Sequence, residues 1–156
     1  MCGIVAVTGY KKALPLLING LEKLEYRGYD SAGIAIINSE TRSISCNKAE
    51  GKLKNLINNL NDENIPGTVG IGHTRWATHG KPEFKNAHPH IDSSGTIAVV
   101  QNGIIENFQD LKNKLEKEGI LFNSDTDTEV IPHLIKRELN TLSKLKLENN
   151  GSTLLV

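Results

Sequence analysis

Apolar residues recur along this chain in two rhythms, one suited to strands and one to helices. Gly3-Ile4-Val5-Ala6-Val7-Thr8-Gly9 is a short apolar run bounded by glycine, the profile of a buried strand. Leu14, Leu17, Ile18, Leu21 and Leu24 follow at helical spacing, with Pro15 where a first turn tolerates it, until Arg27-Gly28 breaks the pattern. Residues 32–37 and 43–46 read as strands, and Leu53, Leu56, Ile57 and Leu60 as a short helix that ends before Pro66-Gly67. Further strands are predicted over 68–73 and 96–100. Helical spacing returns in Phe108, Leu111 and Leu115, stopped by Gly119, and again in Val130, Ile131, Leu134, Ile135 and Leu139, where Thr126 or Thr128 could cap the start. Strands come in runs separated by single helices, not in a strict βαβ alternation, so the expected class is an α+β layered sandwich.

Length and charge narrow the field. A chain of 156 residues buries enough surface for one domain with a sizeable core and leaves little for a second. Its 18 basic and 18 acidic residues balance, so nothing favours nucleic acid or an anionic membrane, and the expected substrate is small. Two cysteines, Cys2 and Cys46, are too few for a disulfide framework, which fits a reducing, cytoplasmic setting. No run approaches the ~20 apolar residues of a membrane helix, and Ile4 to Val7 is too short for a signal-peptide core. Asn149-Asn150-Gly151 is a turn signal with five residues after it, which predicts a domain that continues past Val156.

The sharpest chemical feature is Cys2, directly after the initiator Met. Removal of Met1 would leave a cysteine with its own free α-amino group, so that nucleophile and base share one residue. An α-amino group titrates at roughly 7.7 to 8, close to working pH, and can take the thiol proton and return one to a leaving amine. Taken alone, Cys2 reads better as a small buried hydrophobe at an arbitrary position. Cys46 is expected to be inert strand packing.

The neighbouring residues change that balance. Cys2-Gly3-Ile4-Val5 resembles the mature terminus of the class II glutamine amidotransferases, a branch of the N-terminal-nucleophile hydrolases. Glu25-Tyr26-Arg27-Gly28-Tyr29-Asp30-Ser31-Ala32-Gly33 and His73-Thr74-Arg75-Trp76-Ala77-Thr78-His79-Gly80 are similar to the branch of that family that aminates fructose 6-phosphate. Asn86-Ala87-His88-Pro89-His90, Asn102-Gly103-Ile104-Ile105-Glu106-Asn107 and Thr126-Asp127-Thr128-Glu129 extend the likeness over essentially the whole chain. The resemblance implies an αββα sandwich whose last strands are missing here, with sugar-isomerase domains absent. It also implies hydrolysis of the glutamine amide, with ammonia passed on to make glucosamine 6-phosphate.

The resemblance assigns roles to particular residues. Cys2 is the nucleophile, and Asn102 with Gly103 forms the oxyanion hole, where a side-chain amide and a closely approaching backbone N–H are suited to the developing charge. Asn-Gly is also a strong hairpin signal, so its place within the longer motif decides the reading. Arg75 offers a planar fork to the glutamine α-carboxylate and Asp127 a counter-charge to its α-ammonium. Trp76, Thr78 and His79 are further contacts on a closing loop over 75–81, and Arg27 is a supporting cation near the nucleophile. Without the motif, Arg75 reads as a surface ion pair, Asp127 as a helix cap and Arg27 as a helix-end cation.

No cofactor is expected. His73, His79, His88 and His90 invite a metal reading, but no cysteine or carboxylate set accompanies them and the motifs account for their positions, so no metal is expected. Gln101 departs from the family, which usually has histidine before Asn-Gly. The expected ligand is L-glutamine, with no nucleic acid or membrane partner. A sugar-isomerase domain or subunit could act in trans, and homo-oligomers are implied only for the full-length family. Two alternatives stay open: a non-catalytic remnant that binds glutamine or a partner subunit, and an ammonia donor to another acceptor.

Overall fold

The computed structural model describes residues 2–60, 65–77 and 80–148. Its centre is a four-stranded antiparallel sheet. Strand β1 (Gly3–Val7) pairs with β4 (Val69–Arg75), β4 with β2 (Ser31–Ile37), and β2 with β3 (Ile44–Glu50), giving the order β1-β4-β2-β3. In the β1–β4 ladder Gly3 lies opposite Thr74 and Ile4 opposite His73. Continued by one residue, that register sets Cys2 opposite Arg75.

Strand residues alternate between faces, and the two faces of this sheet have different tasks. One is covered by helices α1 (Ala13–Leu24) and α2 (Leu53–Asn59). Leu17 and Leu21 of α1, Leu53 and Leu56 of α2, and Ala32, Ile34 and Ile36 of β2 form a continuous buried cluster. Each large aliphatic side chain buried in this way contributes about 1.5–3 kcal/mol, enough to hold two short helices whose own N-cap residues make no side-chain cap bond. The opposite face meets a two-stranded ladder, β5 (His90–Ile91) and β6 (Ala98–Val99), and the loops around it. Helices α3 (Phe108–Lys117) and α4 (Val130–Glu148) lie beyond, and α4 packs on β5 and β6. The described elements therefore stack as helices, sheet, ladder, helices, the αββα order expected.

Two glycines permit close approaches that shape the functional end. A Cβ on Gly33 would lie 2.1 Å from the His88 carbonyl oxygen, so the backbone of the 86–90 loop rests directly on β2. A Cβ on Gly28 would lie 2.7 Å from the Arg75 carbonyl carbon, so the turn after α1 sits against the end of β4.

Several elements differ from their sequence expectation. The strand expected over 43–46 runs on to Glu50, because its polar residues Asn47 and Lys48 still pair with β2 along the full ladder. The strand expected over 96–100 shrinks to Ala98–Val99. Thr126 and Thr128 cap no helix: a 3-10 turn (Asp127–Glu129) precedes α4, and both hydroxyls bond elsewhere, Thr126 with His90 and Thr128 with Gln101. Gly119, at φ +86, stops α3 as expected. The turn signal at 149–151 and the residues after it lie outside the described residues.

Candidate functional site

The sheet delivers its chemistry at one end. Cys2 precedes β1, and its Sγ is held at the end of β4: the Trp76 N–H donates to Sγ at 3.2 Å, and Sγ lies 3.5 Å from the Trp76 carbonyl oxygen. Asn102 reaches over from the segment after β6 and donates from Nδ2 to the Cys2 carbonyl at 3.3 Å. Cys2, Arg75, Trp76, Asn102, Gly103 and Asp127 line one cleft of about 40 Å³ with His73, His88, Gln101, Thr126 and Thr128. Six residues singled out in the sequence thus meet in space from four separate stretches of chain.

Arg75 and Asp127 are nearly buried, and each is held by backbone. Arg75, 4 % exposed, donates from Nη1 to the Lys81 carbonyl at 3.2 Å and from Nη2 to the Gly80 carbonyl at 3.3 Å, which ties the chain after β4 back onto the guanidinium. Burial pushes the guanidinium below its usual value, and Cys2, Asp30 and Asp127 oppose that push. Asp127 accepts the Ile105 N–H at 2.7 Å, so its carboxylate anchors the segment after Gly103 in place of capping a helix. Neither residue is the surface ion pair or helix cap that its type alone would suggest.

Trp76 is half-exposed, with its ring edge-on to Tyr29 at 5.5 Å. Thr78 and His79 lie outside the described residues. Arg27 ends the 3-10 turn Glu25–Arg27 after α1, partly buried, and is not among the residues lining the cleft. Cys46 lies on β3, where burial pushes its thiol up against the opposing influence of Lys48.

A buried stack of imidazoles forms part of the cleft wall and runs inward from it. His73 and His88 lie face to face at 4.4 Å, and His90 meets His88 edge-on at 4.6 Å. Burial pushes all three down, His73 to about 4 and His90 to about 3, so the stack is neutral at working pH. Glu129 takes the opposite course. Its burial would raise it, but the His133 ring, the Asn123 and Ser124 N–H groups and the Ser124 hydroxyl outweigh that and hold it at about 2. The ionised carboxylate orders a relay in which Ser124 donates to Glu129, Thr126 to Ser124 and His90 Nε2–H to Thr126. Among the described residues, no group of three or more His, Cys, Asp or Glu is arranged to hold a metal ion.

Sequence reasoning marked Gln101 only as a departure from the family, passed over Asp30, and missed the partners of both. Asp30 accepts the Ala77 N–H and donates its own backbone N–H to the Arg75 carbonyl at 3.0 Å, fixing the chain as it leaves β4. Gln101 accepts the Thr128 hydroxyl at 2.7 Å beside Gly103. Both lie inside or next to the quoted motifs, but no spacing marks a residue whose partner is 27 or 47 positions away.

Comparison with known proteins places the chain in a family. The sequence model of the glutamine amidotransferase domain matches residues 47–145. A glutamine–fructose-6-phosphate aminotransferase (isomerizing) of Clostridium tetani is 59% identical over 135 residues, covering 86% of this chain and 22% of the relative. The protein of the same description from Gloeobacter violaceus is 60% identical over 136 residues, with the same coverage. The chain spans about a fifth of the length of these curated relatives, 22% in both cases. Among solved structures, the glutamine phosphoribosylpyrophosphate amidotransferase of B. subtilis complexed with ADP and GMP superposes with a TM-score of 0.72 at 31% identity, over 88% of this chain and 29% of that one. A structure described as the allosteric regulatory enzyme of purine biosynthesis gives 0.74 at 31% identity, over 88% of this chain and 30% of that one.

Proposed function

The chain belongs to the glutamine amidotransferase domain family, and from that premise we propose that it releases ammonia from the side-chain amide of L-glutamine with Cys2 as the nucleophile. The observation that carries the reading is the cleft itself, where a thiol, a side-chain amide donor, a guanidinium and a carboxylate converge. Each suits a different part of one small zwitterion.

In this reading, removal of Met1 frees the Cys2 α-amino group, which takes the thiol proton. Arg75 holds the substrate α-carboxylate through its planar fork and Asp127 the α-ammonium, so the amide is presented to Sγ. Attack forms the C–S bond and places negative charge on the amide oxygen, which Asn102 Nδ2–H and the Gly103 N–H receive. The protonated α-amine returns its proton to the leaving nitrogen as the C–N bond breaks. Ammonia departs, and water hydrolyses the γ-glutamyl thioester to glutamate and free thiol. Trp76, Thr78 and His79 are proposed as further substrate contacts, and Arg27 supports from outside the cleft.

The ammonia acceptor proposed is fructose 6-phosphate, giving glucosamine 6-phosphate, because the relatives named for that reaction are 59–60% identical. A sugar-isomerase domain or subunit would bind the acceptor, and the sandwich of this chain would be the amide-hydrolysing portion of the assembly. Both cysteines are free, which suits a cytoplasmic location where the nucleophile stays reduced.

The test is glutamate release from glutamine by the purified chain, with intact mass establishing that Met1 is gone. Release that is lost in Cys2→Ala, while glutamine still raises the melting temperature of that variant, is the expected result. No release from folded chain lacking Met1 would overturn the reading.

A further inference from the structure

His73 is used by no step of the reaction above, yet it is among the most buried polar residues of the molecule, 1 % exposed, and its Nε2 lies 2.9 Å from Asn102 Oδ1. The direction of that bond follows from a third group. The Cys2 carbonyl can only accept, so the Asn102 atom facing it at 3.3 Å is the NH2 nitrogen. The atom facing His73 is then the amide oxygen, which also can only accept, and so Nε2 must carry the proton. The remaining ring nitrogen, Nδ1, is buried and makes no well-formed hydrogen bond, so no bond there outweighs the one at Nε2.

From this geometry, and resting on the reading that Asn102 stabilises the oxyanion, we infer that His73 is a positioning residue: its Nε2–H locks the Asn102 amide so that an N–H, not the carbonyl, faces the reacting centre. Asn102 is exposed and follows β6 in an irregular segment, so nothing in regular structure fixes its amide plane. A rotation of about half a turn would exchange oxygen for nitrogen and place a repelling lone pair where negative charge develops. The ring that prevents this is itself held. It sits on β4 on the same face as Arg75, two residues away, and is stacked against His88, whose Nδ1 accepts the Gln101 N–H at 3.4 Å. One strand therefore carries both the grip on the substrate carboxylate and the brace of the oxyanion donor.

Burial keeps the ring neutral, with its acid-base midpoint near 4, so a single proton must choose between the two nitrogens. The Gln101 carbonyl also lies near the ring and competes for that proton, which gives the test its opposing outcome. His73→Met and His73→Gln fill similar volumes, but only the glutamine has an N–H to offer Asn102. In His73→Met, kcat for glutamine hydrolysis should fall about 10-fold or more, within the roughly 100- to 1000-fold cost of removing an oxyanion donor outright, with KM little changed. His73→Gln should recover most of that loss. Alkylation of Cys2 by iodoacetamide, which needs no oxyanion, should proceed at the wild-type rate in both and shows that the nucleophile and its surroundings are intact. Nitrogen NMR of the resting wild-type chain should show the Nε2–H tautomer. The inference is overturned by an Nδ1–H tautomer, by equal kcat in the two variants, or by an alkylation rate that falls in step with kcat. Wild-type turnover is measured first: its absence would count against the glutaminase reading, and the tautomer would then decide the orientation of Asn102.

Discussion

The face of the central sheet turned away from α1 has two ends built from the same strands, and they are opposites. At the Cys2 end, β4 contributes His73 and Arg75, 1 % and 4 % exposed, the first tied to Asn102 from a distant segment and the second to carbonyls of the chain that follows β4. At the other end, Val69 and Ile71 of β4, with Ala35 and Ile37 of β2 and Ile44 of β3, border an apolar hollow of about 280 Å³ under residues 96–98. Ile37 and Val69 there are 45 % and 40 % exposed, and the hollow holds no titratable group. The larger hollow is thus not where the chemistry lies. Burying a polar group costs free energy unless it finds a partner, and the bonds that His73 and Arg75 make to meet that cost fix their geometry; an apolar face makes no such demand and is left loosely covered.

Substitutions should separate the two ends by the size and kind of their effect. The largest is expected from Asn102→Ala, which removes the proposed oxyanion donor and should lower kcat about 100- to 1000-fold with the fold retained, as steady-state kinetics and circular dichroism would show. Arg75→Lys keeps the charge but loses the two-pronged geometry, so KM for glutamine should rise about 10-fold or more; an unchanged KM would remove Arg75 from carboxylate recognition.

Acid should attack the same end. Histidines whose folded values lie below 6.5, His73 at about 4 and His90 at about 3, bind protons more readily when unfolded, so their neutral burial stabilises fully above about pH 6.5 and progressively less as pH falls through their folded values. Glu129, held at about 2 against an ordinary 4.5, adds a further loss below about pH 4.5. The melting temperature should therefore drop continuously from about pH 6.5 downwards, with the fluorescence of Trp76 changing first; a flat profile between about pH 6.5 and 4 would contradict the burial of neutral imidazoles. The smallest effect belongs to the apolar end, where Ile37→Thr should change stability by no more than about 0.5 kcal/mol and leave kcat untouched. A large loss of activity there would mean that the two ends are coupled.

Residues and helices whose cause is local were legible in the sequence. The leucine spacing of α1 and α2 and the stop at Gly119 arise from periodicity and backbone freedom within a few residues, and the elements formed where expected. The motifs also led to Cys2, Arg75, Trp76, Asn102, Gly103 and Asp127, which share the cleft. The short ladder β5–β6 was harder: its limits depend on which neighbour supplies a hydrogen-bond partner, and Thr96 turns to Asp92 in place of extending a strand. Thr126 and Thr128 had the composition of helix caps, and tertiary partners claimed their hydroxyls instead.

What the sequence by itself determined is the set of chemical groups and the local elements that carry them, because side-chain identity and periodic burial need no knowledge of distant contacts. Only the tertiary structure decided how those groups are aimed. The tautomer of His73 and the orientation of Asn102 are set jointly by the Asn102 bonds to His73 and to the Cys2 carbonyl, 29 and 100 positions away, and hydrogen bonds of that kind leave no trace in spacing or composition.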